Sequence, residues 1–231
     1  MTIVKKLAVL VAVAACAALP DSAAHAAGGG SMDMPRIPAD QRTPEDEARD
    51  AYNAGVKQIE KAQQYEANAA GAGDDSKRER LLKKSTSAYE RAAREFGKAV
   101  DSVPGLYQAW NYLGFARRHL GQYDAALEAY DRALKLEPGY ADAIEYRAEA
   151  WLGLNRLDDA RKAYMDLFSR SRKHADQLLA SMQKYVDQRR QEPNGLNPQS
   201  LEEFAQWVGE RATIAQQTAS LDTGSTTASW R

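Results

Sequence analysis

A spacing of 34 residues recurs along the middle of this chain, and it constrains the fold more than any other feature. Alanine stands at three positions separated by this interval, and an aromatic residue follows each alanine at the same offset. The alanines are Ala92, Ala126 and Ala160, and the aromatic residues are Phe96, Tyr130 and Tyr164. A period of this length, with small and large residues at fixed offsets, is typical of a repeated pair of helices. The order weakens toward the C-terminus, where Leu167 and Arg172 replace the alanine and the proline of the earlier copies.

The middle copy is the most complete of the three. Gly114 and Ala126 are small at positions where two antiparallel helices approach closely, and Tyr130 is expected to fill the space beside them. Gly121 is expected to end the first helix with a positive φ, and Asn155 stands at the same position in the next copy. After residue 26 the chain is rich in helix-forming residues and lacks the alternating apolar pattern of strands. The sequence therefore predicts an all-α fold.

The middle copy resembles the tetratricopeptide repeat consensus. It reads Trp110-Asn-Tyr-Leu113-Gly114, then Gly121-Gln-Tyr123, and then Ala126, Tyr130, Ala133 and Pro138. The resemblance implies a short solenoid of helical hairpins over residues 43–172, with the best repeats at residues 107–140 and 141–172. It also implies that a protein or peptide binds in the concave groove lined by the first helix of each repeat.

The first hairpin departs from this pattern. Counting back 34 residues from Gly114 leads to Arg80, which lies in a strongly charged stretch, so an insertion is expected there. We predict one long helix over residues 44–69 and another over residues 77–103, which together form an elongated hairpin with a projecting tip. The tip is either a partner contact or inert length, and we favour inert length.

Two further helices are expected after the repeats. Residues 173–217 are predicted to form C-terminal capping helices, because the last repeat of a solenoid needs a cover for its apolar face. The final helix is expected to open with a capping box at Ser200 and Glu203. A membrane-surface role is the alternative, but the polar face lacks the excess of Lys and Arg that such helices carry. Residues 218–231 are rich in Ser, Thr and Ala and are predicted to be disordered.

The N-terminus has the pattern of a secretory signal peptide. Two lysines precede an apolar run over residues 7–19, and a small-residue cleavage site follows, so residues 1–26 are the predicted signal peptide and residues 27–42 a flexible linker. The run is too short to span a membrane. Cys16 follows Val-Ala-Ala, which resembles the lipobox of bacterial lipoproteins, so cleavage after residue 15 with lipidation of Cys16 is the alternative. The predicted location is the periplasm, and a lipid on Cys16 would be the only membrane anchor.

Charge and motif content disfavour nucleic-acid binding and catalysis. Lys and Arg number 31 and Asp and Glu number 32, a balance that argues against nucleic acid as a partner. Cys16 is the only cysteine, so the folded region has no disulfide and no cysteine-based metal site. His119 and His174 lack a partner motif, and the sequence has no phosphate loop, HExxH motif or nucleophile elbow. We therefore predict no catalytic residues, no cofactor and no metal.

The resemblance assigns a set of side chains to the concave groove. They are Gln108, Asn111, Phe115, Arg118 and His119 from the middle copy and Asp142, Glu145 and Glu149 from the next. Some members of the family bind a C-terminal carboxylate with a basic clamp, but Glu145 and Glu149 stand where a basic residue is needed. An acidic wall suits a basic or amide-rich segment, and a solvated face without a ligand is the alternative.

The leading hypothesis is a non-enzymatic adaptor or scaffold in the bacterial cell envelope, which binds a protein or peptide through the groove. One alternative is an accessory cell-wall factor associated with peptidoglycan, and binding to purified peptidoglycan without protein would distinguish it. Another is a self-associating structural protein, which the molar mass in solution would reveal.

Overall fold

The computed structural model describes residues 42–224, with side chains described through residue 218. This part of the chain forms eight α-helices and contains no strand. In chain order they are α1 (Pro44–Ala70), α2 (Asp75–Ser102), α3 (Tyr107–His119), α4 (Tyr123–Leu136), α5 (Ala141–Gly153), α6 (Leu157–Arg170), α7 (Arg172–Gln191) and α8 (Pro198–Gly224). The all-α repeat solenoid predicted from the sequence is confirmed. The predicted signal peptide, Cys16 and all but the last residue of the predicted linker lie outside the described residues.

The helices alternate between two layers. Helices α1, α3, α5 and α7 contact one another in turn, whereas α2, α4 and α6 each pack against the helix before and the helix after. We call the side of the molecule formed by α1, α3, α5 and α7 the inner face. Helix α7 was expected only to cap the repeats, but it contacts both α5 and α6 and so occupies the position of the next first helix.

A glycine lies beneath an aromatic ring in each of the first two hairpins. A Cβ atom on Gly114 would lie 2.6 Å from Tyr130 Cε1, and one on Gly55 would lie 2.7 Å from Phe96 Cζ. Gly55 therefore has the structural position that the 34-residue count assigns to Arg80. The two members of the first pair are 41 residues apart in sequence, whereas those of the second are 16 apart. The additional residues lengthen α1 and α2 to 27 and 28 residues, against 13 and 14 for α3 and α4.

Two turn residues have the backbone conformation that the sequence predicts. Gly121 has a φ of 73° and Asn155 a φ of 58°. Asparagine tolerates this region less readily than glycine, but its side chain also makes contacts that glycine cannot. Asn155 Oδ1 accepts a hydrogen bond from the Tyr185 hydroxyl at 2.7 Å, and its Nδ2 donates to the Asn194 carbonyl at 3.2 Å. The turn between α5 and α6 is thereby joined to α7 and to the loop that follows it.

The final helix begins and ends differently from the prediction. It starts at Pro198, and Asn197 Oδ1 accepts the Gln199 N–H at 2.8 Å, so the expected capping box at Ser200 and Glu203 is wrong. Proline favours this first position because its φ is already helical. The helix also continues to Gly224, into the segment predicted to be disordered, and residues 225–231 lie outside the described part. Across residues 42–224, no helix has both the length and the apolar character needed to cross a membrane.

Candidate functional site

Three carboxylates of α5 lie on one face of the helix. Asp142, Glu145 and Glu149 are separated by three and four residues, a spacing that places side chains on the same side. Glu149 Oε2 lies 2.9 Å from Nη2 of Arg118, and Asp142 Oδ1 lies 3.4 Å from Nε2 of His174. Glu145, between them, is only 6% exposed. Within residues 42–218 it makes no hydrogen bond or ion pair, so the middle carboxyl is buried without a partner.

Burial raises the pKa of Glu145 to about 8, and the neighbouring carboxylates Glu149 and Asp142 act in the same direction. Arg118 and Lys173 oppose the increase but do not cancel it. A carboxyl that leaves water without a counterion is more stable in its neutral form. The Glu145 carboxyl is consequently protonated in most molecules at pH 7.

The stability of the protein is expected to fall as the pH rises from about 4.5 to about 8, because Glu145 holds its proton in the folded chain after the unfolded chain has released it. The variant Glu145→Gln has no buried carboxyl to ionise, so it does not lose this stability at high pH. We expect it to match the wild type at pH 4 and to exceed it by roughly 1–2 kcal/mol at pH 9. Urea unfolding at the two pH values measures the difference.

Glu128 provides the control for this comparison because it is exposed on α4. The variant Glu128→Gln should follow the wild type at both pH values. A stability difference for Glu145→Gln that stays constant between pH 4 and pH 9 would show that the carboxyl is not buried as described.

Arg118 joins three helices of the inner face. Its guanidinium pairs with Glu149 and lies 5.3 Å from the ring centre of Phe115 and 5.7 Å from that of Tyr146. The other oxygen of Glu149 accepts a hydrogen bond from the Ser181 hydroxyl on α7. A guanidinium thus already occupies a site on this face made of one carboxylate and two aromatic rings.

Tyrosines from three segments form a wall beside Asp142. The rings of Tyr52 and Tyr112 have centres 5.6 Å apart, and those of Tyr107 and Tyr140 are 5.0 Å apart. All four side chains are half-buried. Burial raises the pKa of Tyr52, Tyr112 and Tyr140, and the nearby Asp142 carboxylate adds to the increase. This part of the inner face therefore presents aromatic rings and neutral phenols next to carboxyl groups.

Asn111 lies on α3 and is 1% exposed. Its Oδ1 atom has no hydrogen-bond donor within the described part of the chain. Gln108, one turn earlier on the same helix, is half-buried. The amide oxygen of Asn111 is thus a second buried acceptor on α3 and α5 that lacks a partner.

His119, although assigned to the groove from the sequence, is directed toward the long first hairpin. Its Nδ1 lies 3.8 Å from Glu66 Oε1, and its ring stacks on Tyr89 with centres 4.4 Å apart. Glu66 also accepts hydrogen bonds from the hydroxyls of Ser85 and Tyr89, at 3.0 and 3.1 Å. Burial lowers the pKa of His119 despite this carboxylate. The arrangement fixes α3 against the long hairpin.

Sequence reasoning did not find several of these partners. Glu66 and Ser85 lie on helices outside the 34-residue register, so no repeat position identified them. His174 and Ser181 lie on α7, which the sequence assigned to a cap. For Glu66 the sequence did offer one signal: it is a polar residue at a position of the apolar stripe of α1, which suggests a buried carboxylate with a partner.

Residues 107–140 match the family model of the tetratricopeptide repeat. This segment, which comprises α3, α4 and the turn after them, is one tetratricopeptide repeat. Five of the eight predicted groove residues lie on α3, within the matched repeat. A solved structure described as the "First TPR of Spaghetti (RPAP3) bound to HSP90 peptide SRMEEVD" is similar at 16% identity and a TM-score of 0.37. The similarity covers 70% of this chain and 95% of that chain. The search of curated proteins found no match to this chain.

Proposed function

We propose that this chain is a non-enzymatic adaptor that binds a protein or peptide partner on its inner face. The supporting observation is that Asn111 Oδ1 is buried there without a hydrogen-bond donor in the described residues, and the nearly buried Glu145 side chain, 6% exposed, makes no hydrogen bond or ion pair with them. Leaving such a group unsatisfied costs about 1–3 kcal/mol. A bound segment that supplies hydrogen-bond donors would remove this cost, so the unpartnered groups favour ligand binding at this face.

The adaptor would act in the bacterial cell envelope, because the N-terminal sequence has the pattern of a signal peptide. It would be either periplasmic or attached to the membrane by a lipid on Cys16. Association with peptidoglycan and self-association remain the alternative predictions. Binding to purified peptidoglycan without protein tests the first, and the molar mass in solution tests the second.

Affinity capture from the native envelope tests the proposal, with charge reversal at one position of the inner face. We expect the wild type and Glu128→Lys to recover the same partner protein and Glu145→Lys to lose it, because lysine carries only donors and a positive charge where the partner would meet an acceptor. Glu149 is unsuitable for this comparison because its loss would also leave Arg118 unpaired.

Circular dichroism and the unfolding temperature verify that Glu145→Lys is folded. The milder Glu145→Gln variant, measured beside it, should recover the partner at a reduced level. Equal recovery by all four proteins would contradict binding on the inner face.

A further inference from the structure

The inner face also indicates which chemical group the partner supplies. We propose that the partner inserts the side chain of an arginine next to Glu145, so that the ligand is a basic segment of a protein. This inference rests on the proposed function, since it specifies the ligand of the same face.

The first argument is the charge pattern of α5. Two of the three carboxylates on one face have a partner. Glu149 pairs with Arg118, and Asp142 lies within hydrogen-bond distance of His174. Only Glu145 lacks a partner among the described residues, although it is the most deeply buried of the three. A buried carboxyl is stabilised strongly by a cation placed beside it. A guanidinium supplied by the partner would give Glu145 the cation that it lacks.

The second argument is the aromatic surroundings. Tyr146 follows Glu145 on α5, and Tyr112 and Tyr140 lie beside Asp142, one turn earlier. Aromatic faces near a carboxylate attract a guanidinium through its charge and its planar shape. Arg118 shows this combination within the chain itself, since it is held by Glu149, Phe115 and Tyr146. The region around Glu145 has the same kinds of groups, but the guanidinium of Arg118 forms its ion pair with Glu149 and not with Glu145.

The third argument is the direction of the missing hydrogen bonds. Asn111 Oδ1 accepts but finds no donor in residues 42–218, and an ionised Glu145 can only accept. A guanidinium carries five N–H donors, and the backbone of a bound segment adds more. An acidic ligand would bring further acceptors and would add negative charge beside Asp142 and Glu149.

Arginine binding would change the protonation of Glu145. In the free protein burial raises the pKa of this carboxyl, and an arriving cation would lower it, so binding at pH 7 would release a proton. The charged and titratable groups that face Glu145 are Asp142 and Glu149 on the same helix, Tyr146 beside it, Arg118 on α3, Tyr130 on α4 and Lys173 on α7.

Isothermal titration calorimetry of the full processed chain tests the proposal with two blocked peptides, acetyl-Gly-Ser-Arg-Ser-Gly-amide and its citrulline analogue. Citrulline keeps the shape of arginine and lacks its charge. We expect the arginine peptide to bind at least tenfold more tightly. We also expect its binding enthalpy at pH 7 to change between phosphate and Tris buffers, by the amount that proton release requires.

The variants locate the effect. Glu145→Gln should lower the affinity for the arginine peptide about tenfold and abolish the proton release on binding. Its affinity for the citrulline peptide should equal that of the wild type. Glu128→Gln should behave as the wild type with both peptides. Equal affinity for the two peptides, or binding of neither, would overturn the inference. If affinity capture still depends on Glu145 in that case, the adaptor function stands and only the arginine ligand is wrong.

Discussion

Replacement of Gly114 by alanine is expected to destabilise the folded chain by about 2–3 kcal/mol. The added Cβ would lie 2.6 Å from a ring carbon of Tyr130, which is completely buried between α3 and α4. A buried ring has no free space into which it can move, so the two helices must separate or the side chain must leave its preferred rotamer. Equilibrium urea unfolding monitored by circular dichroism measures the loss.

Gly97 on α2 is the matched control, because a Cβ there would meet no atom within 4 Å. The variant Gly97→Ala should be more stable than the wild type by roughly 0.5–1 kcal/mol, since alanine favours a helix over glycine. The double variant Gly114→Ala with Tyr130→Leu should lose less than the sum of the two single losses. Additive losses would contradict the contact between this glycine and the ring.

Replacement of Arg118 by methionine is expected to destabilise the chain by about 2–4 kcal/mol. Methionine retains much of the packing against Phe115 and Tyr146 but removes the cation that pairs with Glu149 at 2.9 Å. The Glu149 side chain is only 16% exposed, so its charge would remain poorly solvated beside Glu145. Urea unfolding at pH 7 provides the measurement.

A double-mutant cycle separates the ion pair from packing. Adding Glu149→Gln to Arg118→Met should restore part of the lost stability, because the carboxylate without a counterion is then gone. Arg132 on α4 is exposed and lies over the Trp110 ring. Because an exposed cation–π pair contributes about 0.5–1 kcal/mol, Arg132→Met should lower the free energy of unfolding by less than 1 kcal/mol. If Arg118→Met and Arg132→Met lose the same stability, the Arg118–Glu149 ion pair between α3 and α5 does not contribute substantially to folding stability.

The sequence predicted the middle of the solenoid because the residues that determine it lie close together in the chain. Gly114, Gly121 and Tyr130 lie within one 34-residue copy, and each has a local effect: close packing, a positive φ, or filling of space. The long hairpin was predicted from the failure of the same count at Arg80. Its packing residue, Gly55, could not be identified because the insertion separates it from Phe96 by 41 positions.

The candidate site was less accessible to sequence reasoning. The resemblance assigned Glu145 and Glu149 to one wall, but it could not indicate that one of them is paired and the other is not. That difference depends on Arg118, Ser181 and the depth of burial, which result from the packing of three helices. The position of α7 beside α5 likewise depends on tertiary contacts, since residues after 172 have left the 34-residue period.

Site-specific photocrosslinking in the native host is the most direct test of binding on the inner face. A benzophenone amino acid is placed either at Gln108 on α3 or at Met165, which is 47% exposed on α6. We predict a defined adduct with one partner protein from position 108, its loss when Glu145→Lys is added, and no such adduct from position 165. An adduct of equal yield from both positions, or one that persists in the presence of Glu145→Lys, would contradict the account.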